Sequence, residues 1–158
     1  MSLQPTIPVG FQEAGEWQQQ SQNWKGDGYI VPVAIAIIID NNKVLLSLRQ
    51  KNLDQGGLWE FPGGKIEKGE TAYDALCREL LEELAIKVVK AIPYSSKVYN
   101  YQKYTVVLNA FLVTHFSGVP VGNEGQKIQW FEQGDLKDIK MPAGNDDILK
   151  KLKMHFSS

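Results

Sequence analysis

The run Ile30–Ile39, IVPVAIAIII, leaves this chain few options. Its ten apolar residues are about half of what a membrane-spanning helix requires, and they are dense in Val and Ile, which favour strands. The run therefore reads as a buried strand. It extends to Tyr29 and Asp40, and the turn Asp40-Asn41-Asn42 followed by KVLLSLRQ completes a hairpin. Residues 50–59, with Gly56-Gly57, read as a loop.

Helical spacing takes over at Thr71, a capping residue, and continues to about Leu84. Strands resume at roughly 86–101 and 104–116, KIQWFE at 127–132 adds another, and an amphipathic helix is expected at about 145–156 with Ile148, Leu149, Leu152 and Phe156 on one face. Strands, a helix, more strands and a final helix predict an α/β or α+β sandwich, a mixed β-sheet with helices on its faces. At 158 residues the chain suits one domain, placed at 29–158. Residues 1–28, polar and without period, read as a loosely attached extension whose Trp17 and Trp24 pack back as a flap. The formal net charge of −1 argues against a general polyanion binder, so no polymeric nucleic acid is expected. The lone cysteine, Cys77, excludes an internal disulfide framework and sits at apolar helical spacing, which predicts packing. With no secretory pattern and no membrane span, a reducing cytoplasm is the expected compartment.

The helix carries a puzzle. Glu79, Glu82 and Glu83 cluster near its C-terminal end, beside the arc of Tyr73, Leu76, Leu80 and Leu84 that is expected to face the core. The Glu79–Glu83 like-charge pair costs roughly 0.2–0.5 kcal/mol, and acids in a last turn oppose the helix dipole at about 0.3–1 kcal/mol each. Arg78 lies to one side of the patch, so a bound divalent cation would neutralise it better. Clustered carboxylates are hard oxygen ligands suited to Mg²⁺ or Mn²⁺, and Mg²⁺ normally completes its shell with waters and substrate phosphates. A phosphate-bearing substrate follows.

Upstream, GLWEFPGGKIEKGET supplies a shaped loop: Gly63-Gly64 lets backbone approach an ion closely, and Gly69 lets the chain turn. Glu70 is placed to pair with Arg78 two helical turns on. The series Gly64, five residues, Glu70, seven residues, then Arg78-Glu79-Leu80-Leu81-Glu82-Glu83-Leu84-Ala85-Ile86 closely resembles the signature of the Nudix hydrolases. One position departs: the family usually has Gly where this chain has Ala85. If the helix ends there with a left-handed residue, Ala costs about 1–2 kcal/mol, so either the exit differs or the strain is tolerated.

The wider match, over most of residues 30–155, is to the MutT-like members. The resemblance implies a Nudix-type α/β/α sandwich and Mg²⁺-dependent hydrolysis of nucleoside triphosphates to a monophosphate and pyrophosphate. Oxidised purine deoxynucleotides such as 8-oxo-dGTP, or ordinary nucleotides such as CTP, are the expected substrates. It implies that Glu79, Glu83 and the Gly64 carbonyl hold metal, that Glu82 ligates a further ion, and that Arg78 with Glu70 fixes helix to loop. In NEGQ, Glu124 matches a catalytic glutamate, a general base or additional ligand. Arg49 matches an arginine near the nucleotide, and Asn145 an asparagine that reads the purine base, although an Asn opening a helix is equally an N-cap. Phe61 or Tyr104 could stack on the base. Tyr104, eighteen residues past Ile86, also fits dinucleoside polyphosphate hydrolases of the family, and a Nudix-fold ligand sensor without catalysis is a third reading. Family members occur as monomers and as homodimers.

Overall fold

β1 (Tyr29–Asp40) is the strand around which the others assemble. Its side chains alternate with the period of a strand: Ala34, Ala36 and Ile38 enter one core, Ile35 and Ile37 the other. Both faces are therefore covered. The structure, a computed structural model, describes residues 29–50, 56–100 and 104–157. The extension predicted for residues 1–28, with Trp17 and Trp24, lies outside them.

β1 runs parallel to β6 (Tyr104–Ser117) from the Tyr29–Tyr104 pair to Ile38–Val113. On its other edge it pairs antiparallel with the short β4 (Gly63–Lys65), and its end turns through Asn41-Asn42 into β2 (Lys43–Leu48). β2 carries β3 (Trp59–Glu60) and β7 (Ile128–Glu132), while β5 (Lys87–Asn100) lies antiparallel outside β6. The sheet is mixed and seven-stranded, ordered β3-β2-β1-β6-β5 with β4 added to β1 and β7 to β2.

One face is covered by α1 (Ala72–Leu84), whose Ala72, Ala75, Leu76, Leu80 and Leu84 are buried. Each such leucine contributes about 1.5–3 kcal/mol relative to exposure. The other face is covered by a 3₁₀ turn (Gln133–Asp138) and α2 (Ala143–Ser157), with Leu136, Ile148, Leu149 and Leu152 inside. This is the mixed sheet with helices on its faces expected from the order of elements, in the α/β/α form that the resemblance implies. Among the described residues no helix is long and apolar enough to cross a membrane.

The departures are local. Tyr73, expected to face the core, is 38% exposed at its rim, with its ring edge-on to Phe111 at 6.0 Å. Cys77 is half-buried against the α1-side core, where burial pushes its thiol pKa up. β3, β4 and the 3₁₀ turn are too short to show periodicity. α2 begins at Ala143, so Asn145 stands inside the first turn and is not the cap.

Candidate active site

The ends of α1 are specified by short-range chemistry. Thr71 caps its start, the Asp74 N–H donating to Thr71 Oγ1 at 2.9 Å. It stops at Ala85, which is left-handed at φ 57° and returns its N–H to Leu81 O at 3.1 Å. The loop between β6 and β7 satisfies the remaining terminal carbonyls: Asn123 Nδ2 donates to Glu82 O at 2.9 Å, the Asn123 N–H to Glu83 O at 2.9 Å, Gln126 Nε2 to Glu83 O at 3.0 Å, and the Val121 N–H to Leu84 O at 3.0 Å. Every carbonyl that a helix C-terminus leaves open thus has a donor. Neutral amides, and not a basic last turn, complete this helix end.

Arg78 is central to the acidic patch, where the spacing had set it to one side. Its Nε donates to Glu70 Oε2 at 2.7 Å and its Nη2 to Glu70 Oε1 at 3.0 Å and to Lys65 O at 3.0 Å. Its Nη1 reaches Glu79 at 3.1 Å and Glu82 at 3.4 Å, and pairs with Glu67 at 3.5 Å. The hydrogen bonds it accepts from Arg78 hold the Glu70 carboxyl below its ordinary range, and donating them makes the guanidinium hold its proton more tightly than usual. The expected contact between loop and helix is therefore present and bidentate.

Glu83 is the acid left over. Its Oε2 accepts from the Gly63 N–H at 3.1 Å, and among the described residues no cation pairs with it. Burial, then the Glu79 charge, with smaller contributions from Glu124 and Glu60, raise its pKa to about 8 against one lowering contact, the Gly63 N–H. Glu79 is also pushed up, mainly by burial, with Arg78 pulling it back. Gly64 packs directly on Glu79: a Cβ added there would collide with the Glu79 carboxylate. Among the described residues no three His, Cys, Asp or Glu side chains converge tightly enough to hold an ion as they stand. The chemistry of the donors, half-buried carboxylates of Glu79 and Glu83 beside the Gly64 backbone, is of the hard-oxygen kind that suits Mg²⁺ or Mn²⁺.

A cavity of about 400 Å³ opens beside this cluster. Its lining joins Gly63, Gly64, Lys65 and Glu83 with the rings of Tyr29, Phe61 and Tyr104, with Asn145 and Pro142, and with the apolar Val33, Ile35 and Leu108. Tyr104 stacks on Tyr29 with centroids 6.2 Å apart. Phe61 is buried at 3% exposure, and its N–H donates to Asn145 Oδ1 at 3.0 Å. Gly144 lets α2 sit close enough for this bond, since a Cβ there would lie 3.1 Å from Leu108 Cδ2. Arg49 lines the cavity and pairs with Glu60 at 3.4 Å; burial pushes the Glu60 pKa up and Arg49 pulls it back.

The residues singled out from sequence thus fall in two adjoining groups. Gly64, Glu70, Arg78, Glu79, Glu82 and Glu83 form the polar end, with Glu124 exposed on the nearby loop and its charge acting on Glu79 and Glu83. Arg49, Phe61, Tyr104 and Asn145 line the cavity. Sequence reasoning missed Glu60 and Lys65 in the wall, and Asn123 and Gln126 on the helix end. Two side-chain amides flanking Glu124, in a loop punctuated by Gly122 and Gly125, were the available signal.

A sequence model of the NUDIX domain matches residues 34–151. The 8-oxo-dGTP diphosphatase of Escherichia coli (strain K12) is 34% identical over 122 residues, covering 77% of this chain and 95% of that protein. The CTP pyrophosphohydrolase of the same organism is 38% identical over 101 residues, covering 64% of this chain and 75% of that protein. A solved structure from work on MutT of Aliivibrio salmonicida and Vibrio cholerae superposes with a TM-score of 0.70 at 32% identity, covering 80% of this chain and 98% of the other.

Proposed function

The chain belongs to the Nudix family, and on that premise we propose that it hydrolyses nucleoside triphosphates to a nucleoside monophosphate and pyrophosphate with Mg²⁺, or Mn²⁺ in its place. One observation carries the reading. Glu83, a carboxyl whose pKa is raised to about 8, lines a cavity of about 400 Å³ that is also lined by aromatic and apolar side chains. A ligand with a flat heteroaromatic base and a string of phosphates suits both kinds of lining.

Glu79, Glu83 and the Gly64 carbonyl would hold the cation, with Glu82 ligating a further one. When bound, the cation supplies positive charge against the phosphate oxygens as the transition state develops. Arg78 and Glu70 fix α1 to the loop that carries Gly64. Water adds to phosphorus as the bridging P–O bond breaks, and Glu124 would take the proton from it. Arg49 and Lys65, cations in the cavity wall, meet the polyphosphate.

The base side has a directional preference. A backbone N–H can only donate, so the Phe61 N–H fixes the Asn145 oxygen toward itself and leaves Nδ2 as the donor toward a ligand. A donor there serves a ring keto oxygen, which guanine and cytosine carry and adenine lacks, so guanine nucleotides, their oxidised forms such as 8-oxo-dGTP, and CTP rank ahead of ATP.

A panel of 8-oxo-dGTP, dGTP, CTP, ATP and diadenosine polyphosphates, each with Mg²⁺ and scored for pyrophosphate against phosphate, tests the reading. Pyrophosphate release with kcat/KM for 8-oxo-dGTP, dGTP or CTP about tenfold or more above that for ATP is expected. Turnover of dinucleoside polyphosphates alone would replace this substrate class.

A further inference from the structure

The loop from Gly118 to Lys127 does more than cap α1. Gln126 uses both ends of its side-chain amide: Nε2 donates to the main-chain carbonyl of Glu83 at 3.0 Å, and Oε1 accepts from the main-chain N–H of Glu124 at 2.9 Å. A single side chain thus bridges the backbones of Glu83 and Glu124. Asn123 adds two parallel ties, its N–H to Glu83 O and its Nδ2 to Glu82 O, both at 2.9 Å. The loop itself is closed tightly. The Gly125 N–H donates to Gly122 O at 3.0 Å, Gly125 takes φ +83°, and the Leu48 N–H holds Lys127 O at 2.9 Å.

We propose that Gln126, supported by Asn123, is a positioning residue that fixes Glu124 relative to the acidic end of α1. The inference rests on the role given to Glu124 above. The physical reason is reach. Glu124 is exposed, and among the described residues no hydrogen bond or ion pair holds its carboxylate, so its location is inherited from its backbone. The bridge ties that backbone to the residue carrying the Glu83 carboxylate, so the two acids keep one relative position. A proton acceptor misplaced by about 1 Å can cost 100-fold in rate.

Two variants separate the ends of the bridge. Gln126→Met keeps the length and loses both hydrogen bonds, whereas Gln126→Glu keeps an acceptor for the Glu124 N–H and loses the donor to Glu83 O. In metal-free protein, hydrogen exchange at the Glu124 amide is expected to quicken about tenfold or more in Gln126→Met and to stay near wild type in Gln126→Glu. With Mg²⁺ and substrate, Gln126→Met is expected to lower kcat about tenfold or more while KM moves less than about threefold, and to raise the Mg²⁺ concentration for half activation. Unchanged exchange at Glu124, or kcat within about twofold of wild type, overturns the proposal. The reading of Glu124 fails separately: Glu124→Gln would then turn over normally, whatever Gln126→Met does.

Discussion

Gly64 and Glu79 share one space: the Glu79 carboxylate lies where any side chain at position 64 would begin. The collision is with the mobile end of a side chain, so Gly64→Ala is expected to fold, with stability changed by about 1 kcal/mol or less, and to displace the carboxylate instead. Loss of turnover by about 100-fold with a near-normal melting curve is the expected pair of results. A full-activity Gly64→Ala would remove Glu79 from the cation site.

Arg78 joins Glu70, Lys65, Glu79 and Glu82 through one planar group. Lysine cannot reproduce that fork, so Arg78→Lys is expected to lower the melting temperature by a few degrees, of the order that about 1–2 kcal/mol produces. Glu70 contributes a pH dependence. Its folded pKa is depressed, so its stabilisation is present above the ordinary carboxylate range and lost as pH falls through the folded value. Glu70→Gln should flatten the acid limb of a melting-temperature profile, and an unaltered limb would refute the assignment.

Glu83 has the opposite sign. Its pKa is raised from 4.5 to about 8, so in the metal-free protein its protonation leaves stability intact below pH 4.5, and stability declines as pH rises toward 8. Glu83→Gln should abolish that decline. Mg²⁺ should reverse it in the wild type, and binding near pH 7 should release a proton, read by calorimetry in buffers of different ionisation enthalpy. Buffer-independent heats would contradict the linkage.

Ala85 holds φ 57° without glycine's freedom. Ala85→Gly is expected to stabilise the protein by about 1 kcal/mol, since a left-handed alanine costs about 1–2 kcal/mol and glycine returns part of that as unfolded-chain entropy. Chemical denaturation at constant m-value measures it. A destabilised Ala85→Gly would mean that the helix exit gains from the methyl group.

The architecture was legible because its signals are periodic: Ile30–Ile39 could only be a buried strand, and Leu76, Leu80 and Leu84 only a core-facing stripe. The acidic end of α1 was legible as a charge anomaly, whereas Ala85 left two exits open, and the structure shows the left-handed one. What stayed hidden depends on contacts far apart in the chain. The Arg78 side chain folds back across the patch, the Phe61 N–H claims the oxygen of Asn145, and Asn123 and Gln126 cross forty residues to cap α1. No local propensity encodes such pairings, and β3 and β4 are too short to announce themselves.

The central claim is that Glu79, Glu83 and the Gly64 carbonyl bind the divalent cation that receives a nucleotide's phosphates. Anomalous diffraction from crystals holding Mn²⁺ and a nonhydrolysable nucleoside triphosphate tests it most directly. The account predicts a manganese peak between those three groups, with phosphate density against it and the base beside Asn145. A peak elsewhere, or none at saturating Mn²⁺, would contradict it.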